Sequence, residues 1–253
     1  MNIKRWIFSK VDKERASKIA EDLNIPFFLA TILDIRGITD EKYINKFLSC
    51  DVELSDPMLL ADMDKAVKRI NKAVESFEKI CIYGDYDADG VTATALLYSY
   101  LESCGANVMY YIPCRDEDGY GLNFTSIKKL KEENVDLIIT VDNGIVSIEE
   151  VDYANKLGID MIITDHHQTR DEIPNAIAVI DPHRKDCKSS FKELAGVGVA
   201  FKLVLALEGK DRNIKQLFEN YSDLVAIGTI GDIMPLVDEN RIFVKDGLKS
   251  IRN

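Results

Sequence analysis

Three carboxylates alternate in Asp85-Tyr86-Asp87-Ala88-Asp89, with Gly84 before them and Gly90 after. Like charges this close repel, and the turn has two readings. It is a solvated acidic turn with Asp89 as the N-cap of a following helix. Or it holds a hard divalent cation, because carboxylate oxygen suits Mg²⁺ and Mn²⁺. The second reading needs ligands from elsewhere, and the chain offers them. Asp142 closes an apolar run over 136–142, and Asp165-His166-His167 closes another that begins at 160. Two of the three histidines thus stand side by side behind an acid. Successive residues of an extended chain face opposite sides. One imidazole is therefore expected to coordinate, the other to face substrate or a supporting partner, with Asp165 fixing a tautomer. Several carboxylates and one imidazole suit a pair of Mn²⁺ or Mg²⁺ ions, the nitrogen tilting the preference to Mn²⁺. Such a pair generates a hydroxide and clamps the displaced oxygens, so the predicted chemistry is phosphodiester hydrolysis.

These side chains meet only if the chain folds so that strand ends share one edge. Residues 80–83, Ile-Cys-Ile-Tyr, are too few for a helix and rich in strand formers. Further apolar runs at 107–113, 136–142, 160–165 and 176–180 predict four more strands. Helical patterns lie between them at 91–104, 125–133 and 147–157, the last with a capping-box signature at Ser147 and Glu150. Near-continuous apolar strands alternating with helices predict an α/β fold: a mainly parallel five-stranded sheet with helices on both faces. Ligands of such sheets lie at the carboxyl ends of the strands, where these acids fall. Upstream, helical patterns at 13–23, 39–48 and 63–77 predict a helical N-terminal extension over 1–75, with the core domain at 76–253. Downstream, 195–207 is apolar almost all round. An amphipathic stretch at 214–221 and a second apolar helix at 223–233 follow, the latter ending near Asp232. The pattern at 245–251 looks like a helix just starting, as in a fragment of a longer protein.

Composition narrows the partners. At 46% hydrophobic and 30% charged, 253 residues can bury a substantial core. No apolar run approaches a membrane span, and the N-terminus has no signal-peptide core. Five cysteines without C-x-x-C spacing fit a reduced, cytoplasmic chain. A net charge of −11 argues against a freestanding nucleic-acid binder, whose footprint should be basic. It leaves room for an enzyme that grips phosphate through metal ions.

Asp165-His166-His167 and the 85–90 turn resemble the motifs of the DHH phosphoesterase superfamily. Longer phrases are similar to its RecJ branch of single-strand-specific exonucleases: Arg36-Gly37-Ile38, Pro113-Cys114-Arg115, Gly119 to Leu122, Val141 to Gly144, Leu194 to Ala200 and Gly228 to Leu236. The resemblance implies that Asp87 and Asp89 each serve one metal and that Asp142 bridges both. It implies that His166 and Asp232 complete the ligands of the second metal and that His167 sits beside the scissile phosphate. Asp85 is then a ligand through water or an orienting residue, and Arg115 a phosphate contact or a surface ion pair. His183 is expected in structural or substrate-side support rather than on metal. Relatives of this kind continue into a DHH-associated domain and often an OB-fold, neither of which is expected within this sequence. A core that binds metal but holds DNA weakly is the expectation.

The implied function is the catalytic core of a 5′-to-3′ single-stranded-DNA exonuclease in repair and recombination, with repair or single-strand-binding proteins as partners. The competing readings are a phosphodiesterase for oligoribonucleotides or cyclic dinucleotides, and a non-catalytic scaffold in a replication assembly.

Overall fold

A computed structural model describes residues 7–49, 53–113, 121–210 and 213–251. The chain divides into two compact units, 1–53 and 54–253. The first contains α1 (Lys13–Leu23), α2 (Phe27–Ile35) and α3 (Glu41–Ser49), packed around Ile19, Ala30, Leu33 and Ile44. Asn24 ends α1 in the left-handed region, which asparagine tolerates.

The second unit opens with a 3-10 turn (Pro57–Leu59) and α4 (Met63–Glu75), followed by β1 (Ile80–Tyr83) and α5 (Ala88–Ser103). Then come β2 (Val108–Tyr111), α6 (Phe124–Glu132), β3 (Leu137–Val141), α7 (Ile148–Lys156), β4 (Asp160–Thr164) and β5 (Ala178–Ile180). It closes with α8 (Gly196–Leu207), α9 (Ile214–Gly231) and α10 (Asp238–Ser250). The expected boundary near 75 thus falls inside this unit, because α4 packs on the sheet side through Met63, Ala66, Ile70 and Ala73.

The five strands are all parallel, in the order β2-β1-β3-β4-β5. Side chains alternate across them, as the period of two requires. Ile80, Ile82, Ile139 and Ile162 face a core shared with α4, α5, α8 and α9. Cys81, Tyr83, Ile138 and Ile163 face the smaller core under α6 and α7. From β1 the chain moves outward to β2, then returns to place β3 on the other side of β1. That reversal opens a crevice beyond the carboxyl ends of β1 and β3. Asp85 follows β1 and Asp142 follows β3.

Three local expectations are corrected. The N-cap of α5 is Asp87, whose Oδ1 accepts from Gly90 N at 2.9 Å, so Asp89 lies in the first turn instead. Ser147 is the N-cap of α7 but makes no side-chain capping bond. The two helices expected over 214–233 are one, because Ser222 and Asp223 fall within a continuous hydrogen-bonded helix, and α10 starts at Asp238 rather than near 245.

A buried ion pair ties α8 to α10. Lys202 Nζ contacts the Glu239 carboxylate and donates to Ser55 O (2.9 Å), while Ser55 Oγ donates to Glu239 Oε1 (2.6 Å). Lys202 and Glu239 are both buried. Removing one charge strands the other in a dry interior, which is more damaging than removing both. Lys202→Met should therefore lose about 3–5 kcal/mol in urea unfolding, and Lys202→Met with Glu239→Leu should recover most of it.

Candidate metal centre

Each acid of the centre is placed by a different element. Asp85 is buried directly after β1, and its Oδ1 accepts from Tyr86 N at 2.6 Å. The turn then folds back so tightly that a Cβ on Gly90 would stand 2.6–2.7 Å from Asp85 backbone and Cβ atoms. That approach swings Asp89 inward on the first turn of α5. Its carboxylate is buried and accepts Gly196 N (2.6 Å) and Val197 N (2.9 Å), the first donors of α8. A helix N-terminus is a natural seat for negative charge. Even so, burial raises the Asp89 pKa to about 6, against the lowering effect of those two N–H groups and His166.

Asp142 leaves β3 at φ +62, in the left-handed region. The conformation is uncommon for a residue other than glycine, and aspartate is among the residues that tolerate it. Its carboxylate is buried, and burial lifts its pKa to about 7 despite the neighbouring His166. Oδ1 lies 3.1 Å from His166 Nε2, yet without the alignment of a hydrogen bond. A buried carboxylate oxygen with no aligned donor is poorly satisfied by protein alone and well suited to a cation.

Beyond β4 the chain curls instead of staying extended. Asp165 Oδ1 accepts His166 N (2.7 Å), His167 N (3.2 Å) and His167 Nδ1 (2.7 Å), and Oδ2 accepts Ile145 N (2.9 Å). Burial works against this carboxylate, but the bonds prevail and hold its pKa below the usual range. Both imidazoles therefore come to one rim, with ring centroids 4.6 Å apart, correcting the expectation of opposite faces. His166 is buried; its pKa, lowered by burial, is carried up to about 9 by Asp142 and then Asp89. His167 is half-exposed. Its bond to Asp165 raises its pKa and puts a proton on Nδ1.

His166 Nε2 is the common centre: 3.1 Å from Asp142 Oδ1, 3.6 Å from Asp232 Oδ2 and 3.7 Å from Asp89 Oδ2. Among the described residues, two sets of potential ligand atoms form, each with its atoms within 4.8 Å of one another: Asp89, His166 and Asp232, and Asp142, His166 and His167. Asp232 arrives at the C-cap of α9, held close because Gly228 packs on Asp89 and Gly231 on Ala88. Asp87 and Asp85 belong to neither set. Asp87 is exposed and engaged in capping. Arg115 lies outside the described residues.

His183 stands behind the centre. Its Nδ1 lies 3.7 Å from Asp181 Oδ1, and burial lowers its pKa. The adjacent Asp181 is fully buried, with a pKa raised by burial to about 7. Asp181 and the Gly196–Val197 donors are the features that sequence reasoning did not place in the site. The small residues of Ala195-Gly196-Val197-Gly198 are the signal that could have marked a close helix approach.

The described residues form no helix long and apolar enough to cross a membrane. The family model for the DHH family, N-terminal domain, matches residues 79–229. The single-stranded-DNA-specific exonuclease RecJ of Bacillus subtilis is 43% identical over 249 residues, covering 98% of this chain and 31% of that protein. The Escherichia coli RecJ is 42% identical over 203 residues, covering 76% of this chain and 35% of its own. The chain thus spans about a third of the length of these curated relatives. A crystal structure of RecJ bound to manganese superposes with a TM-score of 0.67 at 37% identity, covering 75% of this chain and 48% of that one. RecJ of Thermus thermophilus in complex with Mn²⁺ gives 0.72 at 30%, covering 96% and 34%. With the strand-end acids, the paired histidines and the parallel sheet all in place, the chain belongs to the DHH family.

Proposed function

We propose that this chain is the catalytic core of a metal-dependent exonuclease that hydrolyses single-stranded DNA from the 5′ end. The observation that carries it is the convergence of Asp89, Asp142 and Asp232 on His166 Nε2 within 3.1–3.7 Å. Three carboxylates around one imidazole, one with a buried oxygen lacking an aligned donor, are a ligand set in search of cations. RecJ structures holding manganese, and one in complex with Mg²⁺, support Mn²⁺ or Mg²⁺ as the ions. Identity of 36–43% to several RecJ proteins supports DNA over short oligoribonucleotides as substrate.

Asp87 and Asp89 would each hold one ion, Asp142 both, and His166 with Asp232 would complete the ligands of the second. Bound divalent ions would supply Lewis-acid polarisation of the phosphodiester and activation of the attacking water. The chain does the rest. Asp165 accepts the Nδ1–H of His167 and favours the doubly protonated ring, whose Nε2–H can then donate to an oxygen of the scissile group. Asp85 orients the turn, His183 backs His166, and Arg115 would meet phosphate. A cytoplasmic setting with repair or single-strand-binding proteins as partners fits this reading.

Asp89→Ala tests it. Hydrolysis of 5′-labelled oligodeoxynucleotide with Mn²⁺ should fall at least about a thousandfold. The circular dichroism spectrum should stay near wild type, since one lost cap weakens α8 by only about 1 kcal/mol. Retained activity would remove Asp89 from the site.

A further inference from the structure

The α9 helix ends in a Schellman turn: Met234 N donates to Thr229 O (3.1 Å) and Ile233 N to Ile230 O (3.1 Å). The residue following the C-cap of such a turn adopts the left-handed conformation and is usually glycine or asparagine. Here it is Ile233, at φ +57. A β-branched side chain in that region is strained by roughly 1–2 kcal/mol. The strain gains no core packing, because Ile233 is 88% exposed. An exposed apolar side chain held in a costly conformation, one residue from Asp232, points outward to something the chain meets at its metal centre.

The surroundings say what that is. α5 and α9 run antiparallel past each other, with Gly231 against Ala88 and Gly228 against Thr92. Val91, Ile227 and Ile230 are exposed on these same two helices. Neither 84–107 nor 220–237 contains a lysine or arginine. These two segments therefore offer a phosphate no lysine or arginine, and the bare face of an unpaired nucleobase is the part of a single strand that their apolar side chains suit. We propose that Ile233, flanked by Ile230, is a base-contact residue. It presses on the nucleobase beside the scissile phosphate and so favours strands whose bases are unpaired. The inference rests on the nuclease reading above and adds a specificity element that metal ligation does not supply.

Two variants separate function from fold. Ile233→Asn keeps the left-handed turn and removes the apolar surface; Ile233→Val keeps both surface and strain. Binding of fluorescein-labelled oligodeoxythymidylate, with calcium present, is read by anisotropy beside an abasic strand of equal length. Wild type should prefer the thymidylate strand. Ile233→Asn should bind it about tenfold more weakly and melt at or above the wild-type temperature. Ile233→Val should match wild type, and all three should bind the abasic strand alike. Unchanged thymidylate binding in Ile233→Asn, an equal loss on both strands, no wild-type preference, or a lowered melting temperature in Ile233→Asn would each overturn the proposal. Hydrolysis of bis(4-nitrophenyl) phosphate with Mn²⁺ should be the same in wild type and both variants. Its absence in wild type would sink the nuclease reading, while the anisotropy still reports on the base contact.

Discussion

Gly196→Ala should weaken manganese binding at least about a hundredfold, while Gly198→Ala, two residues along the same helix, should leave it unchanged. A Cβ on Gly196 would stand 2.6 Å from Asp142 Cβ and Oδ1 and 2.8 Å from Cγ. The carboxylate has no room to retreat, since it is buried and its backbone is fixed in the left-handed region. Either Asp142 turns out of the centre, or the start of α8 lifts and withdraws the Gly196 and Val197 donors from Asp89. Both routes disturb ligands, and metal affinity is sensitive to changes in the groups that hold the ligands in place. At Gly198 the nearest atom would be a Leu194 methyl at 3.2 Å, which can shift by a few tenths of an ångström. Alanine there improves helix propensity by up to about 1 kcal/mol. Isothermal titration with Mn²⁺ on the two variants reads the contrast. Equal affinities would mean that α8 does not seat the centre. Gly228→Ala approaches from the other side, its Cβ 2.7 Å from Asp89 Oδ1, and should act like Gly196→Ala.

Those glycines mark the limit of what the chain shows on reading. The strands were legible because each is a short apolar run and the sheet buries both faces. Asp142 and Asp165-His166-His167 were legible because the acid follows the run directly. The α8 contact was not, since Asp89 and Gly196 lie 107 positions apart and nothing local in 85–90 announces its partner. For the same reason the N-cap was misassigned: either Asp87 or Asp89 satisfies the local rule, and only the inward pull of α8 on Asp89 decides. The rotation of the two histidines to one rim depends on three bonds to a single oxygen of Asp165, which overrides strand alternation. Asp232 follows a helical run and was legible only through resemblance. Its position depends on two glycine contacts, at Gly228 and Gly231, that let α9 lie close to α5.

Asp142→Asn should abolish hydrolysis, by at least about a thousandfold, and at the same time make the metal-free protein more stable. The first effect follows from its place between Asp89, His166 and His167: an amide oxygen binds a hard cation weakly where a carboxylate binds it strongly. The second follows from linkage. Burial raises the Asp142 pKa to about 7, whereas in the unfolded chain it is about 3.9. The folded form therefore holds the proton more tightly, and ionisation penalises folding. That penalty is absent below about pH 4, grows between about pH 4 and 7, and is constant above. Asparagine removes it, accepts the left-handed backbone at this position, and leaves His166 facing Asp89 and Asp232. In EDTA, the melting temperature of Asp142→Asn should exceed that of wild type by on the order of 5 °C at pH 8 and by almost nothing at pH 4. With Mn²⁺ the order should reverse, because wild type gains stability from bound ions and the variant does not. A structural carboxylate would behave in the opposite way, its loss lowering the melting temperature with or without metal. Measured stability that falls in EDTA would therefore place Asp142 in the scaffold of the sheet and take the centre apart.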